Sequence, residues 1–190
     1  EQDVLKVNQI RDYAKTIKGF KNVTIIERGS NLGLSKSIIS GVTEIINMYK
    51  KIIVIEDDLI TSPYFLKYMN DALDLYETDY DVISIHGYFF SIRGILPETF
   101  FLKGADCWGW ATWKRGWDLF EPDGKKLLEE LEARKLIKEF NYNGSFEYDV
   151  MLREQIRGNT DSWAIRWYAS AFLKDKLTLY PGKSLVQNIG

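Results

Sequence analysis

The sequence predicts an α/β protein with a mostly parallel sheet flanked by helices, and three observations lead to this prediction. Short apolar runs of β-branched residues alternate with amphipathic helical patterns through the first half of the chain. The runs are apolar throughout rather than at every second residue, as expected for strands covered on both faces. Each connection is long enough to hold a helix, which favours parallel pairing of successive strands.

The elements of the first half alternate regularly between helix and strand. The pair Ser62-Pro63 predicts a helix start, because serine is a favoured capping residue and proline fits the first turn. We expect helices at about 3–18, 34–46 and 62–76, and buried strands at 23–26, 52–55 and 82–85.

The second half is less regular. We expect strands at 100–102 and 177–180, and helices at about 125–139, 146–157 and 162–173. Ser145 is the expected cap of the helix at 146–157, and Gly158 its expected end.

Composition excludes several function classes. The 190 residues carry 25 basic and 27 acidic side chains. Proteins that bind nucleic acid usually carry an excess of basic residues, and this chain has none, so binding to nucleic acid is not expected. The single cysteine, Cys107, allows no internal disulfide and fits a reducing compartment. No apolar run is long enough for a transmembrane segment. We expect one domain over 1–190.

The order of elements predicts that the chain is cut at both ends. A nucleotide-binding α/β domain normally opens with a strand, whose loop shapes the nucleotide pocket. This chain opens with a helical pattern and ends on Asn188-Ile189-Gly190 without a further element. We therefore expect one or more N-terminal strands to be missing.

Three adjacent acids, Glu56-Asp57-Asp58, follow the predicted strand at 52–55, and we call them the acidic triplet. Ligands of open α/β sheets bind beyond the carboxyl ends of the strands. Adjacent carboxylates repel one another, and hard oxygen ligands suit Mg²⁺ or Mn²⁺ with substrate phosphates completing the shell. The alternative is a solvated acidic turn that helps to cap the next helix.

The segment Ile53-Val54-Ile55-Glu56-Asp57-Asp58-Leu59, followed by Ser62-Pro63-Tyr64-Phe65, resembles the acidic motif of a known family. That family comprises N-acetylglucosaminyltransferase I and its bacterial family 2-like relatives of the GT-A fold. The resemblance implies a GT-A-like, Rossmann-like sheet and a cofactor of Mn²⁺ or Mg²⁺. It also implies that Asp58 binds the metal, with Asp57 and Glu56 facing the nucleotide-sugar donor.

A tryptophan-rich segment, 106–117, is the second unusual stretch. Trp110, Trp113 and Trp117 have the spacing of one helix face, and we expect the latter two to pack in the core. Trp108 and Trp110 lie at the expected helix entry, where a ring can stack on a sugar. By the same family resemblance, the region of Gly109 and Trp110 lines the donor sugar and part of the acceptor cleft.

The candidate general base lies at the start of the helix at 146–157. Asp149 and Glu147 stand in the first turns, where the helix dipole by itself favours acids. The family has an acidic pair here, followed by methionine and arginine, and one of its acids is the catalytic base. Asp149 matches best, although the spacing to Arg153 is one residue longer, and Glu147 is the alternative.

Three weaker signals complete the candidate site. Asn31, with Gly33, resembles an Asn-x-Gly that lies beside the donor in many GT-A transferases; a plain turn explains it equally well. His86, the sole histidine, is expected to be a hydrogen-bonded structural residue. Arg166 could meet phosphate, and nothing local decides it.

Together these features predict an inverting, metal-dependent glycosyltransferase catalytic domain. By resemblance the donor is a UDP-linked sugar and the acceptor a glycan or lipid-linked saccharide of a bacterial polysaccharide pathway. The expected location is the cytoplasm, or peripherally the inner face of the membrane; oligomeric state is undetermined. The alternatives are a non-catalytic carbohydrate-binding or regulatory domain and a sugar-nucleotide pyrophosphorylase. Lacking its first strand, the 190-residue chain is expected to be weakly active or inactive.

Overall fold

The computed structural model describes residues 2–92 and 94–190. The chain divides into two compact units, Glu1–Leu32 and Gly33–Gly190. No helix of the described residues has the length and apolar character needed to cross a lipid bilayer.

The first unit contains one helix, α1 (Gln2–Ala14). Arg11 donates a hydrogen bond to the Arg28 carbonyl at 3.0 Å and pairs with Glu27 at 3.4 Å, tying this helix to the following segment. The strand predicted at 23–26 is absent from the described structure, and its apolar side chains are exposed. That prediction is wrong: apolar β-branched residues form a strand only with a hydrogen-bonded neighbour, and this segment pairs with none of the described residues.

The second unit holds the remaining elements. Its helices are α2 (Leu34–Tyr49), α3 (Phe65–Leu75), α4 (Lys114–Trp117), α5 (Gly124–Ala133), α6 (Ile137–Phe140), α7 (Tyr148–Arg157) and α8 (Ala164–Leu173). Its strands are β1 (Lys51–Val54), β2 (Leu59–Thr61), β3 (Val82–His86), β4 (Thr99–Leu102), β5 (Trp110–Trp113), β6 (Leu177–Pro181) and β7 (Val186–Asn188). The mixed α/β class and the strands predicted at 52–55, 82–85, 100–102 and 177–180 are confirmed to within one residue at either end.

The main sheet is mostly antiparallel, so the prediction of a mostly parallel sheet is wrong. Its five strands have the order β1-β5-β3-β6-β4, and only β3 and β6 pair in parallel. The physical reason is that β5 inserts between β1 and β3 with the opposite direction. Apolar runs report how deeply strands are buried, but they do not report which strands are neighbours.

The tryptophan segment begins as a strand rather than as a helix. All four residues of β5 are buried, and α4 follows only at Lys114. Trp113 packs with α3 on one face of the sheet, whereas Trp110 packs with α2 and α8 on the other. A strand covered on both faces buries every residue, so the helix-like spacing of the tryptophans was coincidental. The core positions predicted for Trp113 and Trp117 are confirmed.

The four helices α5, α6, α7 and α8 pack around an apolar core of their own. The predicted helix at 125–139 divides into α5 and α6, because Lys135 adopts a left-handed backbone with φ of 56°. The predicted cap Ser145 is wrong: its hydroxyl donates to the Tyr142 carbonyl, and Glu147 immediately precedes α7. Gly158 does end α7, in the left-handed conformation.

Candidate functional site at the carboxyl edge of the sheet

Three loops converge at one edge of the main sheet. Val54 at the end of β1 and His86 at the end of β3 both pair with Trp110, the first residue of β5. The two strands therefore run in the same direction and end at the same edge. The acidic triplet follows β1, Gly87 follows β3, and the loop that leads into Trp110 arrives beside both.

Two glycines make this convergence possible. Gly87 donates its backbone N–H to the Gly109 carbonyl at 2.7 Å. A Cβ at Gly87 would stand 2.6 Å from Phe65 and 2.9 Å from Val186. Gly109 has φ of 67°, a conformation that favours glycine, and a Cβ there would also meet Val186 at 2.9 Å. The loops, α3 and β7 thus approach closely only because these positions lack side chains.

Asp58 is fixed at this edge by the small β2–β7 sheet. Its Oδ2 accepts a hydrogen bond from the Asn188 side chain at 3.1 Å, and its backbone carbonyl accepts one from Ile189 at 2.9 Å. Leu59, the next residue, pairs with Asn188 in the ladder. The other carboxylate oxygen, Oδ1, is buried and has no hydrogen-bond partner among the described residues. A buried carboxylate oxygen without a partner is costly and calls for an explanation such as an ion.

The rest of the triplet adds negative charge without compensation. Glu56 is half-buried, and Asp57 is exposed. Burial, and then the charges of Asp58 and Asp57, raise the pKa of Glu56 above its ordinary value, and no basic side chain of the described structure opposes this shift. The electrostatics therefore favour a cation or a hydrogen-bond donor arriving from outside the protein.

The residues present fit a metal held by few protein ligands. Across the described part of the chain, no three carboxylate, histidine or cysteine side chains are grouped closely enough to hold an ion alone. Mg²⁺ and its relatives are often held by one or two carboxylates, with water and phosphate oxygens completing the shell. The open Oδ1 of Asp58 is a hard oxygen donor of that kind.

Asp106 lies in the loop that leads into Trp110, and it was not among the residues predicted for the site. Burial raises the pKa of the Cys107 thiol to about 12, and the negative charges of Glu56, Asp106 and Asp58 raise it further by smaller amounts. Asp106 belongs to an irregular loop, and no motif or periodicity marks it. The only sequence signal was its position as the first residue of the tryptophan segment.

His86 is buried beside Asp106. Its Nδ1 is 3.7 Å from Asp106 Oδ2, and neither ring nitrogen has a hydrogen-bond partner among the described residues. Burial lowers the pKa of His86 to about 4, against the opposing pull of the Asp106 carboxylate. The imidazole is therefore neutral at physiological pH.

Trp110 cannot stack on a donor sugar in this structure, so that prediction is corrected. Its side chain is fully buried, with the Trp163 ring 5.3 Å away in a stacked arrangement. The reason is the strand geometry, which turns this ring into the core. Gly109 does lie at the site, as a backbone spacer. Trp108 remains half-buried at the edge, with its ring 4.7 Å from that of Tyr88.

The two candidate bases lie at the start of α7, where Asp149 is already engaged. Its carboxylate accepts a hydrogen bond from the Asn141 amide at 2.6 Å and pairs with Arg153 at 3.4 Å, while its backbone N–H donates to Asn141 Oδ1 at 3.0 Å. Glu147 is exposed just before the helix. No hydrogen bond or ion pair among the described residues joins either acid to the triplet, so the role of base stays a prediction.

The remaining candidates are less connected to this edge. Asn31 belongs to the first unit, and its predicted contact with the donor stays a prediction. Arg166 is buried and held by three acceptors, so the suggestion that it meets phosphate is not supported. The N-terminus of α2 is also occupied, since the Asp161 carboxylate accepts the Ser35 N–H at 3.1 Å.

Comparison of the sequence with protein-family models gives no match. Comparison with curated proteins gives no significant match either.

Proposed function

We propose that this chain is the catalytic domain of a metal-dependent glycosyltransferase that uses a nucleotide-sugar donor. The observation that carries the proposal is the buried, unpartnered Oδ1 of Asp58 within an uncompensated cluster of acids at the carboxyl edge of the sheet. This edge is where α/β proteins bind nucleotides. The arrangement of β1, the triplet and β3 also supports a GT-A-like organisation, although the sheet is mixed.

The triplet suits the departure of a nucleoside diphosphate. Bound Mn²⁺ or Mg²⁺ would neutralise the charge that develops on the leaving diphosphate. Asp58 would hold the ion through Oδ1, while Asn188 keeps the carboxylate oriented by its bond to Oδ2. Glu56 and Asp57 would face the donor, where Asp57 is exposed enough to reach a ribose hydroxyl.

The finer parts of the proposal follow the family resemblance. The reaction inverts the anomeric centre, the donor is UDP-linked, and Asp149 or Glu147 takes the proton of the acceptor hydroxyl. The acceptor is a glycan or a lipid-linked saccharide in bacterial polysaccharide synthesis at the inner side of the membrane.

Calorimetry of nucleotide binding tests the proposal. UDP is titrated into the protein with Mn²⁺ and then with EDTA, and GDP serves as a comparison nucleotide. We expect binding of UDP to be at least about tenfold tighter with Mn²⁺, which corresponds to about 1.4 kcal/mol. Asp58→Asn should abolish this coupling, because it removes the charge of the ligand while keeping the side chain's shape.

A matched control is Asp118→Asn, since Asp118 is an exposed acid whose side chain pairs with Lys114. This variant should keep the full Mn²⁺ effect. Equal UDP affinity with and without Mn²⁺ in the wild type would contradict the proposal, and so would an unchanged effect in Asp58→Asn.

A further inference from the structure

A small aromatic pocket opens beside the candidate site. It has a volume of about 250 Å³, and its walls include Tyr88, Asp106, Tyr142, Phe146, Tyr148 and Tyr180. We call the cavity between these residues the aromatic pocket. The pocket adjoins the edge where the triplet lies, because Tyr88 follows Gly87 and Asp106 belongs to the loop that leads into Trp110.

The walls of the aromatic pocket are held by contacts that do not use its interior. The Tyr142 hydroxyl donates to the Lys103 carbonyl at 2.9 Å, and the Tyr148 ring packs edge-on against Tyr168 at 4.9 Å. The Tyr180 hydroxyl donates to Asp106 at 2.6 Å. A pocket fixed in this way is preformed for a ligand and loses little entropy on binding.

One wall is a loop in an unfavourable backbone conformation. Tyr142 and Asn143 have φ of 47° and 58°, and Gly144 follows with φ of 90°. Such left-handed residues other than glycine cost energy and are concentrated at ligand-binding segments. The turn brings Phe146 to the pocket, where its side chain remains 53% exposed. An aromatic ring presented to solvent at the mouth of a cavity is available for a ligand.

Among the residues of the lining that the structure describes, Asp106 alone is charged. Its side chain is 40% exposed, and Tyr180 occupies only Oδ2. Within the described structure Oδ1 makes no hydrogen bond, so it can accept one from a ligand. The pocket thus combines several aromatic faces and edges with a single strong acceptor.

We propose that the aromatic pocket binds one neutral sugar ring, with Asp106 accepting a hydrogen bond from a ring hydroxyl. A sugar offers apolar C–H faces to aromatic rings and hydroxyl donors to a carboxylate, and this is the combination that the walls provide. The volume lies just below the range of about 300–1,000 Å³ that is usual for larger ligands, so it suits a single ring. On the proposed function, this ring is the acceptor end of the glycan.

The preference for a neutral sugar follows from charge. Asp106 and the triplet make this edge negative, and the described residues of the lining include no lysine or arginine. A uronic or sialic acid would bring its carboxylate towards like charges without a cationic partner. Neutral hexoses and N-acetylated amino sugars avoid that cost.

Saturation-transfer NMR with simple glycosides tests this inference. The probes are methyl glucoside, methyl galactoside, methyl N-acetylglucosaminide and methyl glucuronide, each added to the 190-residue protein. We expect at least one neutral glycoside to receive saturation and the glucuronide to receive none. Asp106→Asn and Phe146→Ala should each weaken the signal about tenfold or more, since the first removes the charge of the acceptor and the second removes an aromatic ring from the pocket.

Tyr49→Ala is the matched control, because Tyr49 is an exposed aromatic residue at the end of α2. It should leave the signal unchanged, and Phe146→Ala keeps the test valid if Asp106→Asn does not fold. The inference is overturned if no neutral glycoside is saturated, if the glucuronide binds equally well, or if both pocket variants keep the wild-type signal. Mn²⁺-dependent UDP binding is measured on the same samples, so failure of the pocket is distinguishable from failure of the transferase proposal.

Discussion

At the residue scale, the site depends on how individual charged groups are held. Asp58 has one oxygen bonded to Asn188 and one left open, whereas Asp149 has its carboxylate engaged by Asn141 and Arg153. The sequence showed both acids at loop–element junctions, which is why both were candidates. Only the structure shows that their surroundings differ, because hydrogen-bond partners from distant segments leave no local pattern.

Replacing Glu56 by glutamine tests the electrostatics of the triplet. The folded pKa of Glu56 is raised, so above about pH 4.5 the folded state binds more protons than the unfolded state and stability falls as pH rises. Glu56→Gln should therefore stabilise the protein at pH 7, by less than about 1 kcal/mol because the group is partly solvated. The gain should vanish below about pH 4.5, as measured by urea unfolding across this range. A variant that is less stable than the wild type at pH 7 would contradict the assignment.

His86 gives the opposite dependence on pH. Its folded pKa of about 4 is below the unfolded value of 6.5, so the unfolded state binds more protons between these values. Stability should rise with pH across that window, and up to roughly 3 kcal/mol is lost towards pH 4. His86→Phe should show a flatter profile between pH 6.5 and 4 in thermal unfolding. An unchanged slope would show that the imidazole is not a buried neutral group.

At the element scale, close approach between the loops and α3 positions the site. Gly87→Ala would push a methyl group to 2.6 Å from Phe65, whereas Gly41→Ala, within α2, would meet no atom within 4 Å. We expect Gly87→Ala to cost about 1–3 kcal/mol. Gly41→Ala should instead gain about 0.5–1 kcal/mol, since alanine favours a helix. Urea unfolding measures both, and equal effects of the two substitutions would refute the packing described.

The contact between Asn141 and Asp149 holds the start of α7. Asn141 and Asp149 exchange two hydrogen bonds, so Asn141→Ala and Asp149→Ala should each destabilise the protein and be non-additive when combined. We expect a coupling energy of about 0.5–3 kcal/mol in urea unfolding. Full additivity, with little loss of stability from either change, would show that the pair does not hold α7.

Elements with strong local patterns could be predicted from the sequence, and elements defined by partners could not. The runs at 52–55 and 82–85 became β1 and β3, because apolar β-branched segments of that length have few other stable states. The segment at 23–26 has a similar composition, but it pairs with no strand in the described structure, so no strand forms there. The tryptophans have the spacing of one helix face, yet Trp110–Trp113 form β5. A strand that is buried on both faces has no alternating pattern, so nothing in the sequence indicated a strand there.

At the scale of the whole molecule, strand order decides which loops meet. Because β5 lies between β1 and β3, the loop before Trp110 is brought to the edge where the acidic triplet and Gly87 lie. The sequence predicted the triplet as the centre of the site from its position after a strand. It could not predict Asp106, which reaches the site through long-range topology rather than through a motif.

Paramagnetic broadening by Mn²⁺ tests the central claim that the acidic triplet holds a divalent ion together with a nucleotide. Backbone amide spectra are recorded with UDP and Mn²⁺, with Mg²⁺ as the diamagnetic reference. The account predicts the strongest broadening at Asp58, Ile189 and Cys107, little effect on α5, and loss of the pattern in Asp58→Asn. Broadening centred elsewhere, or a pattern that persists in Asp58→Asn, would contradict it.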